Sequence, residues 1–157
     1  MNRRTTLAAA SAALLAAALA TPAAAQSIKS VAGTYSVVSI PAYGENARGM
    51  LVLGADGRYS LIAGRTTLPK FAANSRVKGT ADENKAVIDG SIAHFGTYTV
   101  DDGGKSITFN IKMSTFPNWD GTSAKRALKV SGDQLTYTVA APSAGGPPND
   151  VVWKRVK

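Results

Sequence analysis

The chain contains no cysteine, a single histidine and only ten acidic residues among its 157 positions. Without cysteine it has no disulfide, no thiolate nucleophile and no cysteine-based metal site. No nucleophile elbow, phosphate-binding glycine loop or metal-ligand spacing occurs, and most of the acids fall in turns or in one helical segment. These absences argue against hydrolytic and metal chemistry, so we expect no cofactor and no metal.

Residues 1–25 have the pattern of a cleavable export signal. Two arginines precede an Ala/Leu run that is too short to span a bilayer, and three alanines before Gln26 fit the small-residue rule for cleavage. The twin-arginine route and the general secretory route both fit this pattern. Removing 25 of the 157 residues leaves 132, which suits one periplasmic or secreted domain over residues 26–157.

The chain is basic. Its net charge of +8 becomes +6 once the two arginines of the signal are removed. A basic surface suits an anionic small molecule or an anionic envelope surface as a partner. Nucleic acid is not expected, because the chain has no run of lysine and arginine, and no transmembrane segment is predicted.

Most of residues 26–157 alternate between apolar and polar side chains and are broken by Gly/Asp turns, which is typical of antiparallel sheet. Thr80 as N-cap and Glu83 as its capping-box partner predict one short helix that ends at Gly90. Gly64–Gly79 has no clear period and is interpreted as a loop or flap. The alternation predicts eight strands: Val31–Ile40, Gly49–Leu53, Arg58–Ala63, Phe95–Val100, Lys105–Met113, Ser123–Val130, Gln134–Ala140 and Asp150–Val156.

Successive hairpins favour an all-β, eight-stranded antiparallel up-and-down barrel over a sandwich, which is the alternative. A barrel of eight strands is just wide enough to be filled by side chains or to hold one small ligand.

Short motifs stand in a characteristic order along the chain: Gly33-Thr34-Tyr35, Arg48-Gly49, Asp56-Gly57-Arg58, Gly96-Thr97-Tyr98, Phe116-Pro117-Asn118-Trp119 and Val152-Trp153-Lys154-Arg155-Val156. In their order and spacing the chain resembles the bacterial and fungal lipocalin-like domain family. It is distant from the secreted animal lipocalins, which have Trp where Tyr35 stands. The resemblance implies a barrel whose closed end is plugged by Tyr35, Trp153 and Arg155. The resemblance also implies a ligand carrier. An enzymatic function remains an alternative, because some relatives act in biosynthesis.

Alternation along two predicted strands points to a cavity. It directs Ile107, Phe109 and Ile111 inward, and it places Arg126 on one face with Leu128. If that face points inward, Arg126 is a cation inside the barrel, which is costly without a carboxylate from the chain or from a ligand. Tyr98 would add a phenol to the same cavity.

Three further side chains have two interpretations each. Phe116 and Trp119 either pack a strand corner or form the aromatic walls of a ligand entrance beneath the Gly64–Gly79 flap. His94, at the predicted join of helix and strand, is either a plain boundary residue or an acid–base group.

The sequence therefore predicts a periplasmic protein that binds a small apolar or amphipathic molecule, with an anionic ligand as one option. One alternative is a cofactor-free isomerase or cyclase that uses His94, Tyr98 or Arg126. Another is an envelope protein with a filled barrel and a basic interaction surface.

Overall fold

A computed structural model describes residues 27–101 and 103–157, so the predicted export signal lies outside the described residues. Two α-helices are present in this part of the chain, α1 (Ile28–Val31) and α2 (Ala81–Gly90). Single 3₁₀ turns form at Pro41–Tyr43, Arg76–Lys78 and Pro117–Trp119. The strands are β1 (Gly33–Ser39), β2 (Arg48–Leu53), β3 (Arg58–Gly64), β4 (Ser91–Val100), β5 (Ser106–Ser114), β6 (Ser123–Ser131), β7 (Gln134–Val139) and β8 (Asn149–Arg155).

Each strand pairs with the next one along the chain, and β1 pairs with β8, so the sheet closes into a barrel. The closing ladder aligns Tyr35 with Arg155 and Val37 with Trp153. Inward side chains of opposite walls then bury one another without a second layer of structure. The predicted eight-stranded up-and-down barrel is confirmed, and the sandwich alternative is wrong.

Helix α2 forms as its capping residues predict. Thr80 Oγ1 accepts from the Glu83 backbone N–H at 3.2 Å, and Glu83 Oε2 accepts from the Thr80 backbone N–H at 2.8 Å. The other oxygen of Glu83 accepts from Ala72 N–H at 2.8 Å, so the helix start also holds the preceding loop. A helix of about three turns gains from this anchoring, since short helices are marginal alone.

Two strand boundaries differ from the prediction by more than one residue. Val31 belongs to α1 rather than to the first strand, and its carbonyl accepts the Tyr35 hydroxyl at 2.6 Å. β4 begins at Ser91, because the chain passes from helix to strand directly after Gly90. His94 is therefore not a boundary residue: it lies inside β4, is 5% exposed and faces the interior.

The barrel has a closed end and an open end. The closed end carries α1 and the short turns after β2, β4 and β6; the open end carries the longer connections 40–47, 65–90, 115–122 and 140–148. At the closed end the guanidinium of Arg155 lies 4.9 Å from the Tyr35 ring centre and donates to the carbonyls of Ala32 and Ser30. A Cβ at Gly33 would clash with this guanidinium, which explains the glycine there.

One ladder of the barrel is short. β6 and β7 pair only from Leu128↔Tyr137 to Ser131↔Gln134, at the closed end. Towards the open end, β6 residues 123–127 pair with β5 alone and β7 pairs with β8 alone. We call this unpaired stretch between residues 123–127 and 138–139 the β6–β7 seam.

Two kinds of feature are absent from the described residues. Within residues 27–101 and 103–157, no helix is long and apolar enough to cross a membrane. In the same residues, no three side chains of His, Asp or Glu lie together in a way that would hold a metal ion.

Candidate functional site

Side chains fill most of the barrel interior and leave a small chamber towards the open end. The chamber has a volume of about 70 Å³. Trp153, Phe109, Leu51 and Ile107 are among the side chains that are fully buried in the barrel. The chamber wall mixes apolar side chains with a few polar ones, and the polar or aromatic members are Tyr43, His94, Trp119, Arg126, Tyr137 and Trp153.

Arg126 points into the barrel, which is one of the two orientations that the alternation of β6 left open. Arg126 is 9% exposed, and the adjacent residues of the strand, Lys125 and Ala127, point outward. The guanidinium carbon lies 4.8 Å from the Tyr137 ring centre and 5.5 Å from that of Phe109. Two aromatic faces therefore hold the cation in place, and cation–π contact offsets part of its desolvation.

Arg126 has no carboxylate partner among the described residues. The ion pairs there are Arg58–Asp56, Lys85–Asp89 and Lys157–Asp133, all at the surface. The eight strands contain one acid, Asp150, which is exposed and accepts from Thr138 Oγ1 at 2.6 Å. Since an unpaired buried charge is unfavourable, this guanidinium would gain from an anion in the chamber.

A hydrogen-bonded pair of side chains stands beside Arg126. The Tyr59 hydroxyl and His94 Nδ1 lie 2.9 Å apart, and both residues are buried. The His94 ring also packs edge-on against Trp119, with ring centres 5.7 Å apart. Nδ1 is thus occupied, while no described residue hydrogen-bonds to Nε2.

Burial and the nearby Arg126 charge lower the pKa of His94 to about 4. Burial likewise raises the pKa of Tyr59 far above its usual range, although the Arg126 charge opposes this. Both side chains are therefore neutral at pH 7, and Arg126 is the permanent charge of the chamber.

The floor of the chamber contains a hydrogen-bond donor without a partner. The Trp153 indole Nε1 is buried and makes no hydrogen bond of ordinary length and angle in the described structure. Its polar neighbour is the hydroxyl of Tyr137. Burial raises the pKa of this hydroxyl, while Arg126 and Trp153 act to lower the pKa. Arg126 and Trp153 can only donate, so the chamber suits a group that accepts hydrogen bonds.

Two larger spaces adjoin the chamber. The first, which we call the vestibule, has about 730 Å³ at the open end and is lined by Tyr43, Arg65, Ile88, Phe116 and Ala144 among others. The second, which we call the seam pocket, has about 320 Å³ along the β6–β7 seam and is lined by Ile111, Trp119, Ala124, Arg126, Val139 and Ala141 among others. The chamber is thus the narrow meeting point of two wider openings.

The structure brings together only part of the predicted binding set. Arg126 and Trp119 line the chamber, and Phe109 lies beneath Arg126. Phe116 lines the vestibule and Ile111 the seam pocket. Ile107 and Leu128 are buried in the barrel but line none of the three spaces, because they stand closer to its closed end.

Two predicted placements are wrong. Tyr98 points inward but lies at the closed end, where its hydroxyl donates to Gly54 O at 2.9 Å. It therefore has no place in the chamber. The Gly64–Gly79 segment contributes only Arg65 to the vestibule, and Tyr43, α2 and the loop after β7 line the rest of the entrance.

The corner Phe116–Trp119 combines both of its interpretations. Its 3₁₀ turn links β5 to β6, and Asp120 Oδ1 ties the end of this corner back to β5 by accepting from Ser114 N–H at 2.7 Å. The rings of Phe116 and Trp119 meet edge to face at 5.7 Å. Trp119 then reaches the chamber from this corner.

Sequence reasoning missed Tyr43, Tyr59 and Tyr137 as site residues and assigned Trp153 only a structural role. Tyr59 and Tyr137 alternate with polar neighbours on β3 and β7, which would have marked them as inward. Tyr43 sits in a 3₁₀ turn outside any strand period, so no comparable signal existed for it.

A closed barrel of eight antiparallel strands with a small chamber belongs to the class of β-barrels that are filled or hold one small molecule. Residues 26–156 match the model of the lipocalin-like domain, and the chain belongs to that family. A relative is the 4'-hydroxy-3'-methoxypropiophenone carrier protein ppsC of Aspergillus oryzae. It is 26% identical over 84 residues, which cover 50% of this chain and 76% of the relative.

Proposed function

We propose that this protein is a periplasmic carrier that binds a small amphipathic molecule by an anionic or strongly accepting group. The observation that carries the proposal is the guanidinium of Arg126, buried between two aromatic rings in the chamber wall without a carboxylate from the described chain. A pocket that is mostly apolar, with a few convergent polar groups, is the usual form of a small-molecule site.

The similarity to a carrier protein supports this proposal. That relative's name gives its ligand as a phenolic aryl ketone, a molecule with an apolar ring and oxygen acceptors. The chamber offers matching chemistry, since aromatic rings of Phe109, Trp119 and Tyr137 surround the donors Arg126 and Trp153. A carboxylate or a phenolate would compensate the charge of Arg126 most fully.

The periplasmic location rests on the pattern of residues 1–25, with two arginines, an apolar run and a cleavage site. A carrier outside the cytoplasm would meet its ligand at the envelope. Cell fractionation and mass determination of the purified N-terminus test this part of the proposal; an uncleaved protein in the cytoplasm would contradict it.

Native mass spectrometry of the protein purified from a periplasmic extract tests binding. Denaturing extraction then releases any bound molecules for identification. We expect a small amphipathic molecule to be present in the wild type and lost from Arg126→Met. Removing one partner of a buried charged contact costs about 2 kcal/mol of binding energy or more. Lys129→Met removes an outward cation from the same strand and serves as the control.

An empty wild-type protein would contradict the carrier proposal if fatty acids and isoprenoid acids also gave no thermal shift. The remaining interpretation would be a filled barrel that acts through its basic surface.

One observation favours a second candidate function. His94 lies in the chamber wall within hydrogen-bond distance of Tyr59 and beside Arg126, an arrangement suited to an isomerase acting on a bound carbonyl compound. His94 Nε2 would take a proton from the carbon next to the carbonyl, and the electrons of that bond would move onto the carbonyl oxygen beside Arg126. His94 would exchange this proton with solvent and then deliver a proton to a different carbon, so the reaction needs no co-reactant.

Incubation with β,γ-unsaturated ketones such as cyclohex-3-enone in deuterated buffer tests this candidate. We expect the conjugated ketone, seen by ultraviolet absorbance, with deuterium incorporated at carbon. His94→Gln would abolish both signals. Equal rates in His94→Gln and the wild type would exclude the candidate.

A further inference from the structure

The chamber is too small to enclose an amphipathic ligand. Its volume of about 70 Å³ is about half that of a cavity of about 150 Å³ that holds one benzene ring. A carboxylate or one edge of a ring fits there, and the body of the molecule must lie in a neighbouring space. The vestibule and the seam pocket are the two spaces available among the described residues.

The position of Arg126 distinguishes between them. Arg126 lines both the chamber and the seam pocket, and it does not line the vestibule. Trp119 and Val139 are shared in the same way, so the seam pocket and the chamber are continuous beside the cation. A molecule anchored on Arg126 therefore has its nearest free volume along the seam.

The chemistry of the seam pocket suits an apolar body with a polar far end. Ile111, Ala124, Val139 and Ala141 give it an apolar wall, while Thr122, Ser123 and Lys125 lie on it from the β6 side. Backbone groups of β6 that would pair with β7 in a full ladder have no ladder partner here. A hydroxyl or amide of a ligand could take the place of those missing hydrogen bonds.

We propose that the ligand is an elongated amphipathic acid, with its anionic end on Arg126 and its body running out sideways through the β6–β7 seam. This inference rests on the proposed function. Ala124, Val139 and Ala141 then determine which ligands fit, because they contact the apolar part of the ligand. The vestibule is then a water-filled opening to the His94 side of the chamber.

Two exposed residues, one in each space, provide the test. Ala141 lines the seam pocket and Ile88 of α2 lines the vestibule, and neither lines the chamber. The probe is a dansyl-labelled undecanoic acid, followed by its fluorescence. We expect Ala141→Phe to weaken binding by about tenfold or more, as added bulk does in an occupied site. Ile88→Trp should stay within about twofold of the wild type.

The possible failures are distinguishable. Loss of binding in Arg126→Met and Ile88→Trp, with Ala141→Phe unaffected, would overturn the seam route and leave the carrier proposal standing. Unchanged binding in Arg126→Met would overturn the anchor itself. Amide shifts in the wild type provide a measurement that does not depend on folded variants: the probe should shift residues 122–126 more than residues 85–89 of the vestibule wall, and the reverse order would overturn the inference.

Discussion

The barrel places one arginine over an aromatic ring at each end, and the two differ in what else surrounds the guanidinium. Arg155 lies 4.9 Å from the Tyr35 ring centre and donates to two backbone carbonyls of the N-terminal segment. Arg126 lies 4.8 Å from the Tyr137 ring centre and meets no carboxylate and no backbone carbonyl among the described residues. The same cation–π contact thus occurs once with two backbone carbonyls as acceptors and once with neither a carboxylate nor a backbone carbonyl from the described residues.

This difference separates a structural arginine from a candidate binding arginine. At the closed end the chain itself satisfies the cation, so a ligand has nothing to add. At the open end the chain supplies rings and a cavity but no anion, and a ligand would complete the arrangement. Four predictions test this comparison, from the largest expected effect to the smallest.

Removal of the closed-end ring should have the largest effect. Tyr35 is fully buried, and Tyr35→Ala should lower the free energy of unfolding by about 4 kcal/mol, as for other large-to-small changes of aromatic core residues. Urea denaturation measures this. Tyr35→Phe keeps the ring and loses only the hydrogen bond to Val31, so it should cost about 1 kcal/mol. A loss below about 1 kcal/mol in Tyr35→Ala would contradict a structural closed end.

Acid should destabilise the open end through His94. Its pKa is about 4 in the fold and about 6.5 when unfolded, so the unfolded chain binds the proton first as pH falls. Stability should therefore fall by about 3 kcal/mol between pH 6.5 and pH 4, since one pKa unit corresponds to about 1.4 kcal/mol.

Urea denaturation between pH 7 and pH 4.5 measures the upper part of this window. Backbone hydrogen bonds lower the pKa values of Glu83 and Asp101, so their contribution to stability is lost mainly below the unfolded values of 4.5 and 3.8. His94→Phe should flatten the profile. A wild-type profile that is already flat above pH 4.5 would contradict the burial of a neutral histidine.

Exchange of each arginine for methionine compares the two ends directly. Arg155→Met should cost about 2 kcal/mol, because two carbonyls lose their donor. Arg126→Met should leave stability unchanged or raise it, because it removes a buried charge without a carboxylate partner. Thermal denaturation of both variants in ligand-free buffer measures the contrast. A larger loss in Arg126→Met would reverse the assignment of the two roles.

The smallest effect is expected for the hydrogen bond in the chamber wall. Tyr59→Phe removes the partner of His94 Nδ1 and should cost about 1 kcal/mol. Ring signals of His94 in a nitrogen-15 NMR spectrum should also change, because the tautomer is no longer held by Tyr59. Unchanged ring signals in the variant would show that the pair does not set the tautomer.

The period-two alternation was enough to predict the barrel, its strand number and the face that Arg126 shares with Leu128. Alternation gives the face of a side chain but not its height along the barrel axis. His94 and Tyr98 share the inner face of β4, four residues apart, yet one lines the open chamber and the other hydrogen-bonds at the closed end. Height depends on strand register, which depends on all the neighbouring strands at once.

The remaining parts of the site depend on contacts distant in sequence. The hydrogen bond between Tyr59 and His94 joins β3 to β4, and the rings around Arg126 come from β5 and β7. The short β6–β7 ladder has no mark in the sequence, since residues 123–127 and 134–139 alternate normally. The sequence therefore predicts a cation in a barrel, and only the fold defines the chamber and the seam.

The pairing of β1 with β8 makes the strand order circular, and Arg155 joins the last strand to the segment before the first. Each ladder would survive if the chain were cut between β7 and β8 and linked from residue 157 to residue 27. Such a permuted chain would begin at the open end and should keep the circular dichroism of the parent, whereas loss of cooperative unfolding would show that chain order matters. In topology, the eight strands form a closed ring, and residues 27 and 157 both lie at the closed end of the barrel.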